Sequence, residues 1–143
     1  MRISELLKHK ALDGVITIGP DATVRELVGL LAEHNVGALI VSGDGSSVDG
    51  IVSERDVVRR LNGDESVLDT PVTTIMTSTV RTCEGSASLD DLMALMTEHR
   101  IRHVPVVAAD RLVGIVSIGD VVKNRMAELE FERDQLDSYV HQS

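Results

Sequence analysis

Two copies of a Gly-Ile-Val-Ser-x-x-Asp motif hold the residues with the clearest chemical potential in this sequence. The first copy ends in Ser53 and Asp56, and the second ends in Ser117 and Asp120. Each motif is predicted at a strand-to-helix junction, where a hydroxyl, the free amides of helix entry and a carboxylate come together. Such amides favour an anion, and a carboxylate suits two neighbouring hydroxyls such as a ribose diol. Serine and aspartate are also common helix caps, so the motif is compatible with a nucleotide site and with simple capping.

The two motifs belong to an internal repeat. Residues 23–34 align with residues 88–99 at a constant offset of 65, and residues 50–58 align with residues 114–122 at an offset of 64. The missing residue falls in the turn that begins at Gly43 in the first copy. Because length changes are tolerated in surface turns, the alignment has the properties of a structural repeat.

Each repeat is predicted to fold as a β-α-β-β-α unit. Thr23 with Glu26, and Ser88 with Asp91, have the spacing of a capping box, and apolar residues follow each pair at helical spacing. A unit of this size is marginal alone, so the two copies are expected to pack face to face around one core in a single α/β (α+β) module. Further strands are expected through each Gly-Ile-Val-Ser and at residues 15–18, 38–42, 80–83 and 104–108.

The predicted boundaries place the first repeat at residues 1–65 and the second at residues 66–126, followed by a helical tail at 127–143. Residues 62–70 are predicted to be the linker between the repeats. The last helix has no stop signal and is predicted to run from about Asp120 to near Val140.

Apolar residues recur along this last helix with a spacing of three or four, interrupted by Arg133. The strip could contact a second chain or fold back on its own module. The contact with a second chain is favoured, because an extension beyond the repeated core needs a surface to cover its apolar side. The members of the strip are Val122, Met126, Leu129, Leu136 and Val140.

The composition excludes several classes of function. The chain has 143 residues, a formal charge of −9, one Phe, one Tyr and no Trp, whereas single-stranded nucleic-acid sites need aromatic faces and a basic groove. Duplex DNA would repel it, and no apolar run approaches the roughly 20 residues of a membrane span. With no signal peptide and a single cysteine, Cys83, we expect a cytoplasmic protein without nucleic-acid or membrane partners. No constellation of catalytic or metal-ligating residues is predicted.

The doubled unit, its two motifs and the segment from Arg102 to Val107 resemble a tandem pair of CBS domains, also called a Bateman module, of the short stand-alone bacterial type. The resemblance covers about residues 8–126. It implies a pseudo-twofold module, usually a homodimer, with two clefts that bind AMP, ADP, ATP, NAD or S-adenosylmethionine. It implies a non-catalytic sensor with no obligatory cofactor, although Mg²⁺ could accompany a bound ATP. It also implies a regulated partner, which the sequence does not identify. The alternative is a dimerising scaffold of the same fold that needs no ligand.

The resemblance also implies roles for individual residues. Asp56 and Asp120 would bind ribose, with Ser53 and Ser117 beside the sugar or phosphate. Each cleft would combine the motif of one repeat with the first strand of the other. In the Asp120 cleft the resemblance adds Ile16 and Val36. In the Asp56 cleft it adds Arg55, Arg81 and Ile101. The other residues of the implied binding set are Arg102, His103, Pro105, Ile118 and Gly119.

The two clefts are expected to differ in charge. Arg102 and His103 fall where the family often places phosphate-binding cations, whereas the corresponding residues of the first repeat, Gly37 and Ala38, are uncharged. Gly119 leaves room for a ligand to approach the backbone beside Asp120. The Asp120 cleft is therefore predicted to be the better nucleotide site.

Overall fold

The two predicted β-α-β-β-α units are present in a computed structural model, which describes residues 1–8 and 15–141. The helices are α1 (Ile3–Lys8), α2 (Val24–His34), α3 (Glu54–Leu61), α4 (Leu89–His99) and α5 (Ile118–His141), and two 3-10 helices cover Glu65–Asp69 and Val72–Thr74. The strands are β1 (Thr17–Ile18), β2 (Ala38–Val41), β3 (Gly50–Ser53), β4 (Cys83–Glu84), β5 (His103–Ala108) and β6 (Arg111–Ser117). The first strand of each unit is thus shorter than predicted.

Each unit forms its own three-stranded sheet with the same topology. In the first sheet β1 pairs with β2 in parallel and β2 pairs with β3 antiparallel. Strands β4, β5 and β6 repeat this order. The β5–β6 hairpin turns through Ala109 and Asp110, both with positive φ, which is the conformation that a tight two-residue hairpin requires. The longer turn of the first sheet accommodates the extra residue found in the sequence alignment.

Capping boxes start the first long helix of each unit, as predicted. The Glu26 amide donates to Thr23 Oγ1 at 3.1 Å and the Thr23 amide donates to the Glu26 carboxylate at 3.3 Å. Ser88 and Asp91 form the equivalent pair at 3.1 and 3.4 Å. Both motifs predicted from spacing alone are confirmed.

The described residues bury two hydrophobic clusters rather than the single core that was predicted. One lies under the first sheet and includes Leu27 and Val52. The other lies under the second sheet and includes Leu92 and Val116. The prediction of one core was wrong because each three-stranded sheet buries an apolar face against an amphipathic helix of its own repeat.

Each cluster also contains a segment from the other half of the chain. The segment at the start of the first half packs into the second cluster, and the segment before the second repeat packs into the first cluster. Helix α1 packs into the second cluster, where Ile3 is fully buried and its amide donates to the Ala87 carbonyl at 3.0 Å. The segment between the repeats packs into the first cluster, where Val72 is fully buried and its amide donates to the Ala22 carbonyl at 2.8 Å. Val67, within the predicted linker at residues 62–70, is buried in the same cluster, so that linker is partly structural.

Residues 1–8 and 70–77 are counterparts at an offset of 69 that the sequence comparison missed. Leu6 and Ile75 occupy equivalent buried places. Gly114 lies against Leu7 and Gly50 lies against Met76 in matching fashion. The leading segment of each half of the chain thus packs into the core of the other half, so each core contains residues from both halves.

The last helix runs from Ile118 to His141, close to the predicted limits. Val121 is its buried anchor in the second core, whereas residues 129–141 are exposed throughout. The alternative in which the tail folds back on its own module is therefore wrong for the described residues. No helix in the described part of the chain is long and apolar enough to span a bilayer.

Candidate functional site

A cavity of about 820 Å³ opens between the two repeats at the first Ser–Asp motif. The first repeat contributes the β3–α3 junction and the chain before β2. The second contributes the chain before β4 and the α4–β5 connection. Its lining residues are Gly37, Ala38, Ile51, Ser53, Glu54, Arg55, Asp56, Val58, Arg59, Thr77, Thr79, Val80, Arg81, Arg100, Ile101, Arg102 and His103.

Asp56 caps helix α3 and lines this cavity as well. Its Oδ2 accepts from the Ser53 amide at 2.8 Å and from the Ser53 hydroxyl at 3.0 Å, and the Asp56 amide donates to Ser53 Oγ at 3.3 Å. The capping alternative is therefore confirmed. All the acceptor bonds of this box fall on Oδ2, and a carboxylate offers about four lone-pair sites, so capping leaves acceptor capacity for a ligand.

The second motif forms an equivalent capping box at the start of α5. The Ser117 amide donates to Asp120 Oδ2 at 2.9 Å and the Asp120 amide donates to Ser117 Oγ at 3.2 Å. Asp120 also makes a further interaction. The two aspartates thus share one structural role, while only Asp56 lines the cavity described above.

Positive charge is concentrated in this cavity although the chain as a whole is acidic. Five arginines line it, namely Arg55, Arg59, Arg81, Arg100 and Arg102, against two carboxylates, Glu54 and Asp56. None of these five arginines forms a salt bridge with any other residue that the structure describes. Unpaired arginines in a concave site attract anions and suit phosphate oxygens in particular.

The arginines come from three separate elements. Arg55 and Arg59 lie one turn apart on α3, on the same face of the helix. Arg81 precedes β4. Arg100 is the left-handed C-cap of α4, with φ of 54°, and Arg102 follows it. The charge of the cavity therefore depends on the contact between the repeats and not on one motif.

His103 of the second repeat lies beside Gly37 of the first repeat. A Cβ built on Gly37 would lie 3.4 Å from His103 Cε1 and 3.5 Å from Glu54 Oε1. The Gly37 carbonyl accepts from the Glu54 amide at 2.9 Å, and the Arg102 carbonyl accepts from the Ile118 amide at 2.8 Å in the equivalent bond of the second repeat. Gly37 and Arg102, which occupy equivalent positions in the two repeats, thus both line this cavity.

Seven of the residues predicted to bind a ligand come together here, and seven do not. Those in the cavity are Ser53, Arg55, Asp56, Arg81, Ile101, Arg102 and His103. Ile16 packs against the first core, Val36 is exposed, and Pro105 is buried in β5 opposite Ile115. The others, Ser117, Ile118, Gly119 and Asp120, lie at the second motif.

The Asp120 cleft was predicted to be the better nucleotide site, but the geometry of the described residues favours the Asp56 cleft. Gly119 and Lys123 stand at the positions of Arg55 and Arg59, so the second motif has one cation where the first has two. The cations that were predicted for a phosphate, Arg102 and His103, face the Asp56 side. Residues 9–14, which include the counterpart of Thr79, lie outside the described residues.

Several residues of the cavity were not predicted from the sequence. Arg59 could have been found from its helical spacing to Arg55. Thr77 and Thr79 could have been found only with the offset of 69, and Arg100 carried no signal. A cluster of His, Cys, Asp and Glu suited to a metal ion is not found among the residues described.

Comparisons with known proteins agree with this fold. Residues 4–63 and 72–127 match the model of the CBS domain. The CBS domain-containing protein YhcV of Bacillus subtilis is 35% identical over 113 residues, or 79% of this chain and 80% of that one. The crystal structure of the CBS-domain containing protein ATU1752 from Agrobacterium tumefaciens superposes with a TM-score of 0.82 at 42% identity, covering 87% of this chain and 99% of that chain.

A CBS domain pair that was crystallised with ligands has the same fold. The pair of protein MJ0100, solved in complex with 5′-methylthioadenosine and S-adenosyl-L-methionine, superposes with a TM-score of 0.78 at 23% identity. That alignment covers 90% of this chain and 98% of that chain. From the two matched domains and these relatives, the chain belongs to the CBS-domain family as a tandem CBS pair.

Proposed function

We propose that this CBS pair is a regulatory module that binds a phosphorylated adenine nucleotide in the Asp56 cavity. The observation that carries the proposal is the cluster of five arginines beside the Asp56 carboxylate, none of which forms a salt bridge with a residue that the structure describes. The module is non-catalytic in this proposal, and its output is a change in conformation or assembly. The regulated partner and a cytoplasmic location stay predictions.

The charge of the cavity favours phosphate over an uncharged or cationic adenosyl ligand. Five arginines against two carboxylates leave an excess of positive charge before His103 is counted. AMP, ADP, ATP and NAD are anions, whereas the sulfonium of S-adenosylmethionine is a cation and methylthioadenosine has no phosphate. At the low effective dielectric of a cleft, such charge differences decide which ligand is retained.

The size and lining of the cavity suit the nucleoside as well. About 820 Å³ lies within the usual range for small-molecule sites. Ile51, Val80 and Ile101 offer aliphatic surface on which an adenine can be sandwiched without aromatic residues. The hydroxyls of Thr77 and Thr79, together with Asp56, offer partners for the ribose.

Binding would couple the two repeats. The cavity joins α3 of the first repeat to the chain before β4, and Thr77 in that chain pairs with Ile51 of β3 through two backbone hydrogen bonds of 2.9 and 3.0 Å. A ligand that contacts both repeats favours whichever arrangement brings them into contact with it, which shifts a pre-existing equilibrium.

Calorimetry with AMP, ADP, ATP, NAD and S-adenosylmethionine tests the proposal, with ATP titrated in the presence and absence of Mg²⁺. Asp56→Ala removes a charge-assisted acceptor, so we expect nucleotide affinity to fall about tenfold to a hundredfold. Asp120→Ala is the matched control, because it removes the equivalent capping carboxylate at the other motif. Both variants should lose a similar stability of about 1 kcal/mol from their caps, while only the first loses affinity.

Three results would contradict the proposal in different ways. Tighter binding of S-adenosylmethionine than of any nucleotide would refute the charge argument. Loss of affinity in Asp120→Ala alone would move the site to the second motif. If no adenine compound binds and both variants lose only stability, the Ser–Asp pairs are caps and the chain is the ligand-independent scaffold.

A further inference from the structure

The exposed face of α5 carries a regular apolar strip that begins in the second CBS repeat and continues beyond it. Its members follow a spacing of four and three residues, which is the heptad pattern of a coiled-coil seam. At least half of each side chain is exposed, with 65% for Leu136 as an example. The strip consists of Val122, Met126, Leu129, Leu136 and Val140, with Arg133 at the remaining seam position.

This part of the helix lacks tertiary support from the residues that the structure describes. Residues 129–141 are exposed on every side. A thirteen-residue helix without such support is marginal in water. The seam therefore needs a partner surface of its own length, and a second copy of α5 has that length and that spacing.

The seam residues match one another when two copies run antiparallel. Val122 then lies opposite Val140 of the second copy, Met126 opposite Leu136, and Leu129 opposite Arg133, and all these pairs share one centre of symmetry near residue 131. This self-complementarity is what a twofold interface requires. A parallel pair would instead place the two copies of Arg133 against each other in the seam, where like charges repel.

Charges beside the seam favour the same direction. Lys123 and Arg125 lie near the start of α5, whereas Glu130, Glu132 and Asp137 follow in its second half. In the antiparallel register Lys123 lies beside Asp137 of the second copy, at flanking positions that set orientation in coiled coils. Each Arg133 lies near Glu130 and Glu132 of the second copy, which offset its charge.

The acidic character of the tail argues against a membrane or nucleic-acid partner. Glu128, Glu130, Glu132, Asp134 and Asp137 outnumber the one arginine between residues 127 and 141. An amphipathic helix that binds an anionic membrane needs a basic polar face, and nucleic acid would repel this one. A second copy satisfies the apolar seam and the charge gradient together.

We propose that two copies of this chain associate through an antiparallel coiled coil of α5, with Val122 of each copy packed against Val140 of the other. The contact is independent of the nucleotide cavity and joins the modules at opposite ends of the helix pair.

Disulfide trapping of the full chain tests the register. In a Cys83→Ser background, Val122→Cys and Val140→Cys are prepared separately and then mixed in a glutathione redox buffer. The antiparallel seam gives a covalent dimer in the mixture and none in either chain alone. The two positions of one helix are about 27 Å apart, so a crosslink within a chain does not compete. Phe131→Cys, with the same 65% exposure as Leu136 but on the opposite face, controls for random collisions.

Each outcome of the trapping decides for or against the proposal. Crosslinks in each single variant alone would indicate a parallel seam and overturn it. Absence of a crosslink in the mixture, or equal crosslinking by Phe131→Cys, would show that another surface covers the strip. Sedimentation provides a second measure: Leu136→Ser should raise the dissociation constant of the tail contact at least a hundredfold by removing two buried leucines per dimer, whereas Phe131→Ser should leave it unchanged.

Discussion

Replacing Ile3 by alanine should destabilise the second repeat, although Ile3 precedes the first. Its side chain is 0% exposed and lies in the second hydrophobic cluster with Leu89 and Val104. Alanine removes three carbons, worth about 0.8 kcal/mol each in transfer free energy. The cavity left behind raises the cost to between 2 and 5 kcal/mol. Because α1 has only six residues and can partly collapse into the space, we expect about 2–4 kcal/mol.

Urea denaturation gives the magnitude and native-state hydrogen exchange gives the location. The amides of Val104 and Val116 in the second sheet should lose more protection than those of Leu39 and Val52 in the first. Greater loss in the first sheet, or a cost below about 1 kcal/mol, would show that α1 does not belong to the second core.

Two further variants serve as comparisons for Ile3→Ala. Glu5→Ala changes an exposed residue of the same helix and should stay within about 0.5 kcal/mol of the parent. Val72→Ala is the reciprocal case, because Val72 is fully buried in the first cluster. It should reduce protection in the first sheet more than in the second.

Two other local features lead to predictions. A Cβ on Gly50 would lie 2.5 Å from Met76 Sδ and 3.1 Å from the Thr77 carbonyl oxygen. Gly50→Ala should therefore lower the free energy of unfolding by about 1–3 kcal/mol in urea denaturation. Gly29 lies in the interior of α2 with open space around it, so Gly29→Ala should raise the free energy of unfolding by about 0.5–1 kcal/mol. Burial raises the pKa of the Cys83 thiol to about 11, so its labelling by a disulfide reagent at pH 8 should be much slower in the folded protein than in denaturant. Since the folded state then holds its proton more tightly, the free energy of unfolding should fall relative to Cys83→Ala as pH rises from about 9 to 11, and equal pH profiles of the two proteins would contradict this.

Local signals in the sequence predicted the secondary structure because their causes are local. Thr23 with Glu26 fixes a helix start through bonds that span three residues, and the structure forms those bonds. The long final helix followed from the lack of a stop signal, and the repeat predicted equivalent sheets. Family membership followed from the same motifs and is confirmed.

The exchange of leading segments could not be found in this way. Residues 1–8 and 70–77 share no identical residue at their offset of 69. Only their pattern of buried apolar positions is common, as in Ile3 with Val72 and Leu6 with Ile75. Two clusters were therefore interpreted as one core, and the packing of residues 70–77 into the first cluster was not predicted.

The choice between the two clefts could not be made from the sequence, although the Asp56 cleft and several of its residues, among them Arg81, were predicted. The charge of this cavity is a sum over five arginines, of which Arg59 and Arg100 were not predicted and lie on different elements. Ser117 and Asp120 repeat the chemistry of Ser53 and Asp56 as caps, so the motif alone gave no reason to choose between the clefts. The difference between them lies in neighbours that only folding brings together.

The position of α1 has a consequence for synthesis of the chain on the ribosome. Ile3 and Leu6 are translated about a hundred residues before Val104, Val116 and Val121, which form part of the surface that buries them. At about 5–20 residues per second, the interval between the two events is on the order of ten seconds. During that time the first core can close with Val72 and Ile75, while the leading helix has no docking site. The segment that carries Ile3 and Leu6 is therefore without its buried contacts until most of the second repeat has been made.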